Sequence, residues 1–292
     1  MKQYRSIEEI LKPSTAHMVG DGFRVVNYNP GGQGINKRMS PFFLLDYNVE
    51  VNFPATDKPR GVGVHPHRGF ETVTIAYKGS VAHHDSAGHS GVIDADDVQW
   101  MTAGSGVLHK EYHEKNYAAK GGPFQMVQIW VNLPKKDKMI APAYQGILHS
   151  DKAAVKLDDN GGTVFVIAGS YKGIKGPALT HSPVEMYDIR LNENGEASIN
   201  LPADYNAGLL VIEGDVIIND ERHAPVNNYI QFSNESGEVK IKANKNSKLL
   251  LLAGEPINEP VAAYGPFVMN TVEEIQQAID DVNSGKFGEL AA

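Results

Sequence analysis

The chain has 292 residues, of which 41% are hydrophobic and 21% charged, which is ordinary for a water-soluble globular protein and long enough for two cores. A formal charge of -8 argues against a general nucleic-acid binder, because phosphate neutralisation needs a clustered basic surface. With no cysteine, disulfides and thiolate metal sites are excluded, and 29 glycines and 16 prolines among short β-branched runs favour an all-β architecture with little helix.

The opening Met1-Lys2-Gln3-Tyr4-Arg5 is polar and leads into no apolar leader. No later run reaches the roughly 18 apolar residues of a membrane span, so a cytoplasmic location is expected. Ser6-Ile7-Glu8-Glu9 matches a capping box and predicts a short helix that stops before Pro13. Phe23 to Tyr28 reads as a short strand. Ser40 to Leu45 is apolar and ends on Asp46, which reads as a turn residue at a strand end.

The stretch from Gly61 to Glu114 carries the chemistry. It opens with His65-Pro66-His67-Arg68-Gly69-Phe70-Glu71 and closes with His109-Lys110-Glu111. In a strand, residues i and i+2 point to one face, so each pair aims both side chains into one space. Two such strands facing each other across a barrel gather three imidazoles and one carboxylate around a point. That donor set contains no sulfur and suits a divalent first-row ion. Between the pairs, Thr72 to Tyr77, Gly79 and Val81 to Asp85 read as a hairpin, and Asp96-Asp97 as a turn before Val98-Gln99-Trp100-Met101. Gly104 and Gly106 bend the chain ahead of His109. His83, His84, His89, His113 and Glu114 read as solvated, while Trp100, Met126 and Trp130 read as core and Gln128 as a candidate for the barrel mouth.

Gln125 to Leu133 is a long strand, and a first barrel is expected within residues 1–135. Lys135, Lys136 and Lys138 read as a solvated loop that starts the crossing to a second unit, residues 136–292. Strands are expected there at Thr163 to Ala168, Val184 to Leu191, Leu209 to Asn219 and Lys248 to Ala253. Ile212 to Asp220 aligns with Tyr77 to Asp85, with Gly214 on Gly79, which suggests one barrel type used twice. That register sets Asn200 and Pro202 where His65 and His67 stand and Asn244 near His109, so a metal site is expected in the first barrel only. The tail Thr271-Val272-Glu273-Glu274 is another capping box. It is followed by a stripe of Val272, Ile275, Ile279 and Val282 with Gly285 as a stop, an amphipathic helix expected to pack on the first barrel.

These motifs resemble the pirins, a branch of the cupin superfamily. The likeness rests on His65-Pro-His-Arg-Gly-Phe-Glu-Thr-Val-Thr74, on Val98-Gln-Trp-Met-Thr-Ala-Gly104 with Gly106 and His109-x-Glu111, and on Ala253-Gly-Glu-Pro-Ile257. It implies two tandem cupin barrels, all-β apart from a C-terminal helix, with one mononuclear iron held by His65, His67, His109 and Glu111. The general cupin pattern would place the acid at Glu71, but pirins take theirs from the second motif. Fe(II) is the expected ion, and the ligand types also admit Mn, Ni, Cu or Zn. The resemblance further implies quercetinase-like chemistry, in which a flavonol is opened by O2 with Glu111 as general base. A different class, an iron-dependent regulatory protein acting through a protein partner, fits the same ligands.

Overall fold

The computed structural model describes residues 3–28 and 37–291; Met1 and Lys2, which open the polar N-terminus, lie outside them. Antiparallel strands group into two units over the described residues. One comprises Met1–Pro13, Arg38–Ser40 and Ser150–Pro256, and the other Ser14–Lys37, Pro41–His149 and Ile257–Ala292. In the latter, the first barrel, one sheet runs in the order Ala143–Ile147, Val98–Thr102, Phe70–Lys78, Gly122–Asn132, Phe42–Phe53, Phe23–Asn27, His17–Val19. Its second sheet runs Gly61–His67, Val107–His113, Val81–Asp85, Ser90–Ile93.

The second barrel repeats that order except at one edge, where Ile7–Leu11, which precedes the other strands of its barrel in the chain, takes the place that Ala143–Ile147, which follows those of its own, has in the first. Its larger sheet is Ile7–Leu11, Tyr229–Phe232, Asn206–Glu213, Ser247–Gly254, Val184–Leu191, Gly162–Ala168, Ala153–Lys156, and its smaller one is Glu196–Asn200, Glu238–Ala243, Asp215–Ile218, Arg222–Pro225. The fold is therefore all-β, two tandem cupin barrels with a C-terminal helix. Gly79 and Gly214 open the same hairpin in each barrel, both at positive φ (85° and 95°), the conformation glycine adopts without a Cβ penalty.

The predicted helix after Ser6 is instead the strand Ile7–Leu11, paired antiparallel with Tyr229–Phe232. Its capping signal is overridden because tertiary partners take the backbone groups: Glu235 Oε1 accepts from the Ser6 N–H at 2.8 Å and Ser233 N–H donates to the Ser6 carbonyl at 2.9 Å. Ile7 and Ile10 then pack on the second core.

That core is apolar throughout. Where the first barrel places its histidine strands, the second buries Ala197 and Ile199 on one strand and Val239, Ile241 and Ala243 on its partner. The expected register is off by this measure: Asn200 is exposed at its strand end, Pro202 lies beyond the strand, and Asn244 follows Ala243. Alternation along the two strands, not the sequence alignment, decides which residues face in.

The helix Val272–Asn283 begins with the expected capping box, Thr271 with Glu274. Its buried face is Ile275, Ala278 and Asp281, with Ile279 and Val282 partly covered, whereas Val272 is 74% exposed and off the stripe. Buried Asp281 pairs with Arg68 Nη2 at 2.9 Å, and the Arg68 guanidinium lies 4.7 Å from the Phe287 ring centroid. Arg68 Nε also donates to the Ser105 carbonyl at 2.7 Å. The residue after His67 is thus clamped by the turn before His109 and by the C-terminal helix.

Lys138 is not in a solvated loop. Its side chain is buried, and Nζ donates to the Gly69 carbonyl (2.9 Å), the Asn132 Oδ1 (2.7 Å) and the Val268 carbonyl (2.7 Å). Burial pushes the ammonium down to about 7, yet three acceptors account for all three protons of the charged form. One cation joins the turn after His67, the end of a barrel strand and the segment before the helix.

Two stability outcomes follow. Lys138→Met keeps the length of the chain but strands three buried acceptors, so urea unfolding should show a loss of about 3–5 kcal/mol; a loss below about 1 kcal/mol would show the pin to be incidental. Leu251→Ala, in the fully buried second core, should lower stability by about 2–5 kcal/mol in the same assay.

Candidate metal centre

Gly61–His67 and Val107–His113 pair antiparallel with His65 opposite His109. The burial of Val107–His113 alternates strictly, so Val107, His109, Glu111 and His113 all face inward. Their convergence is tight. Ring centroids of His65 and His109 lie 4.2 Å apart, His65 and His67 4.8 Å, and His67 and His109 4.7 Å. Ligand-capable atoms of His65, His67 and His109 lie within 4.8 Å of one another, and so do those of His83, His109 and Glu111.

The donor chemistry fits a cation. Nδ1 of His67 and Nε2 of His109 are buried with no hydrogen-bond partner. Burial, reinforced by the neighbouring imidazoles, holds both rings well below the usual histidine range, so both are neutral and each offers a lone pair. His65 Nδ1 sits 2.8 Å from the Gly63 carbonyl, which assigns its proton there and leaves Nε2 as its free lone pair. Buried lone pairs that face one another without a proton between them are favourable only around a positive charge.

Glu111 is oriented from behind. Gln99 Nε2 donates to its Oε1, and the Thr74 hydroxyl lies 3.2 Å from the same oxygen and 2.5 Å from Gln128 Oε1, its one proton serving one of the two. Glu71 stands apart. It is buried, accepts from Thr102 Oγ1 at 2.8 Å, and is pushed up to about 7 by burial; it belongs to neither ligand group.

A cavity of about 330 Å³ opens onto these residues. His65, His67 and Glu111 form one side, and Phe23, Val25, Leu44, Val62, Met126 and Trp130 supply apolar walls. Trp130 lines the cavity rather than a closed core, Met126 lines it while also packing in the buried cluster of Phe23, Val25 and Phe124, and Trp100 is fully buried core. Asp46 is not a turn residue. It lies within the strand Phe42–Phe53 opposite Gln128, faces the cavity, and accepts from Asn27 Nδ2 at 2.6 Å; burial raises its carboxyl pKa against the effect of that bond.

Two histidines read as solvated are buried. His113 packs among Phe53, Phe124 and Tyr117 and its Nε2 reaches the Gly22 carbonyl at 2.9 Å. His83 sits behind His109, with Nδ1 atoms 3.5 Å apart, and its Nε2 is 3.2 Å from Asp85 Oδ2. Burial alone would raise the Asp85 pKa, but bonds from His83 and from the His89 N–H outweigh it and lower it. The available signal was alternation: His83 and Asp85 are spaced by two, like the proposed ligands. His84 is exposed as expected, and Glu114, half-buried, caps the short helix Lys115–Lys120.

Comparison with known proteins agrees with this architecture. The Pirin family model matches residues 22–131, and the model of the Pirin C-terminal cupin domain matches residues 186–288. A Pseudomonas aeruginosa protein named "Putative quercetin 2,3-dioxygenase" is 48% identical over 276 residues, covering 93% of this chain and 94% of its own. Human pirin is 38% identical over 257 residues, 86% of this chain and 84% of its own. The crystal structure of quercetin 2,3-dioxygenase from Acinetobacter baumannii superimposes with a TM-score of 0.92 at 44% identity, over 99% of this chain and 100% of that one. With both barrels matched in sequence and the whole chain matched in structure, the protein belongs to the pirin family of bicupins.

Proposed function

We propose that the chain is a metal-dependent dioxygenase of the quercetin 2,3-dioxygenase type, with His65, His67, His109 and Glu111 as ligands of one ion. The observation that carries this reading is the set of unpartnered, neutral imidazole nitrogens facing an oriented carboxylate at the wall of an apolar cavity. Fe(II) is the first choice for three imidazoles and a carboxylate, with Mn, Ni, Cu and Zn compatible with the same donors. Such an ion, when bound, supplies a Lewis acid that acidifies a substrate hydroxyl and a route for charge to O2.

The protein's own residues do the rest. Trp130, Met126 and the valines at positions 25 and 62 provide faces against which a flat aromatic ligand packs, and they exclude water. Gln99 fixes one oxygen of Glu111, leaving Oε2 to take the proton of the flavonol 3-hydroxyl. Asp46 and Gln128, opposite each other on neighbouring strands, give the wall a polar spot for a hydroxyl of the same ligand. The names carried by the Pseudomonas and Acinetobacter relatives support this choice of substrate.

Iron-loaded protein given quercetin in air should bleach the flavonol absorbance and release carbon monoxide. Glu111→Gln should keep most of the metal while turnover falls by roughly 10²–10⁴-fold, the range for loss of a general base; retained turnover would sink that assignment. No turnover with a filled site, repeated with nickel, copper and cobalt, would overturn the enzyme reading in favour of a regulatory role through a protein partner. Separately, His65→Ala and His109→Ala should each lose bound metal in elemental analysis, and undiminished metal in either would remove that residue from the ligand set.

A further inference from the structure

We propose that His83 and Asp85 are positioning residues which fix the ring tautomer of His109, so that its Nε2 is the atom offered to the metal. The inference rests on the metal reading above and extends it to two residues outside the ligand set.

Val107–His113 is an inner strand of its four-stranded sheet. Gly61–His67 lies on one side, and Val81–Asp85 on the other, with Asp85 opposite His109 and His83 opposite Glu111. His83, Asp85 and His109 are each no more than 4% exposed, so their polar atoms must be satisfied by one another.

The hydrogen-bond count leaves one arrangement. Asp85 Oδ1 accepts from the backbone N–H groups of Ala87 (3.0 Å) and His89 (2.9 Å). Its Oδ2 faces His83 Nε2 at 3.2 Å and His89 Nδ1 at 3.1 Å. An ionised carboxylate only accepts, so His83 presents Nε2–H to it, and the tautomer that does so carries its lone pair on Nδ1. His109 Nδ1 is 3.5 Å from that lone pair, the long end of a hydrogen bond, and is therefore the protonated nitrogen of its ring. Nε2 of His109 keeps the lone pair. It is the ring nitrogen that is buried without a partner. The Tyr144 ring, stacked on His83 at 4.9 Å and 20°, holds the intermediate imidazole in plane. Outer hydrogen bonds of this kind orient a ligand and raise its basicity.

Asp85→Asn inverts the chain. The two backbone N–H groups retain the amide oxygen, which turns the amide nitrogen toward His83 Nε2. His83 must then accept there and carry Nδ1–H, which faces His109 Nδ1 with a donor. His109 moves its proton to Nε2 and blocks its own ligand atom.

Nitrogen-15 NMR of the ring resonances in metal-free protein reads this directly. The expected result is Nδ1–H for His109 in the wild type and Nε2–H in Asp85→Asn, with Zn(II) affinity by calorimetry roughly 10- to 100-fold weaker in the variant. His83→Phe, which preserves the stacked ring and removes the relay, should weaken Zn(II) by a similar factor. Wild-type protein with Nε2–H on His109 overturns the proposal whether or not the variants fold. So does an Asp85→Asn protein that binds Zn(II) within about twofold of wild type. A wild type that binds no Zn(II), Ni(II) or Fe(II) at all would instead refute the metal site itself.

Discussion

Pairing of Gly61–His67 with Val107–His113, His65 opposite His109, is the constraint on which the rest of the structure depends. A slip of one residue would turn every inward side chain of a strand to the other face. Glu111 would leave the cavity wall, His109 would turn away from His65 and His67, and the neutral imidazoles would lose their common focus. Much of the surrounding architecture serves to prevent that slip. Arg68 ties the end of one strand to Ser105, at the start of the other, and to Asp281 of the helix. Lys138 holds the Gly69 carbonyl from a third direction.

Gly69 and Gly106 show how little room these clamps leave. A Cβ on Gly69 would come within 2.1 Å of the Val268 carbonyl oxygen, and one on Gly106 within 2.5 Å of the Phe287 ring. Both glycines sit at positive φ, where other residues are strained. The two turns that flank the histidine strands are therefore in direct contact with the C-terminal segment, which becomes part of the scaffold of the site although none of the proposed ligands lies in it.

Much of this was legible in the sequence where the signal is local. Two pairs of residues spaced by two, one followed and the other preceded by glycines, mark facing strands, and Thr271 to Glu274 marks a helix start because the cap forms within four residues. Local signals failed where distant groups decide. Ser6 to Glu9 carries the same capping pattern, but Ser233 and Glu235 engage the Ser6 backbone and draw the segment into a sheet. Lys138 looks like its neighbours Lys135 and Lys136, and only the Gly69 and Val268 carbonyls, far along the chain, make it a buried cation. His83 was hidden for the same reason. A histidine beside another histidine on a hairpin reads as surface until the partner strand shows which of the two points inward.

The repeated strand order sets two solutions to one packing problem side by side. The second barrel fills its interior with Val239, Ile241 and their neighbours and gains apolar burial from nearly every inward position. The first gives up that burial along the histidine strands, putting imidazoles, a carboxylate and an open cavity in place of methyl groups. The two halves therefore differ in what they are optimised for. The C-terminal one retains the close packing that a barrel of this topology can reach, and the N-terminal one forgoes part of that cohesion to keep polar side chains and an open cavity inside.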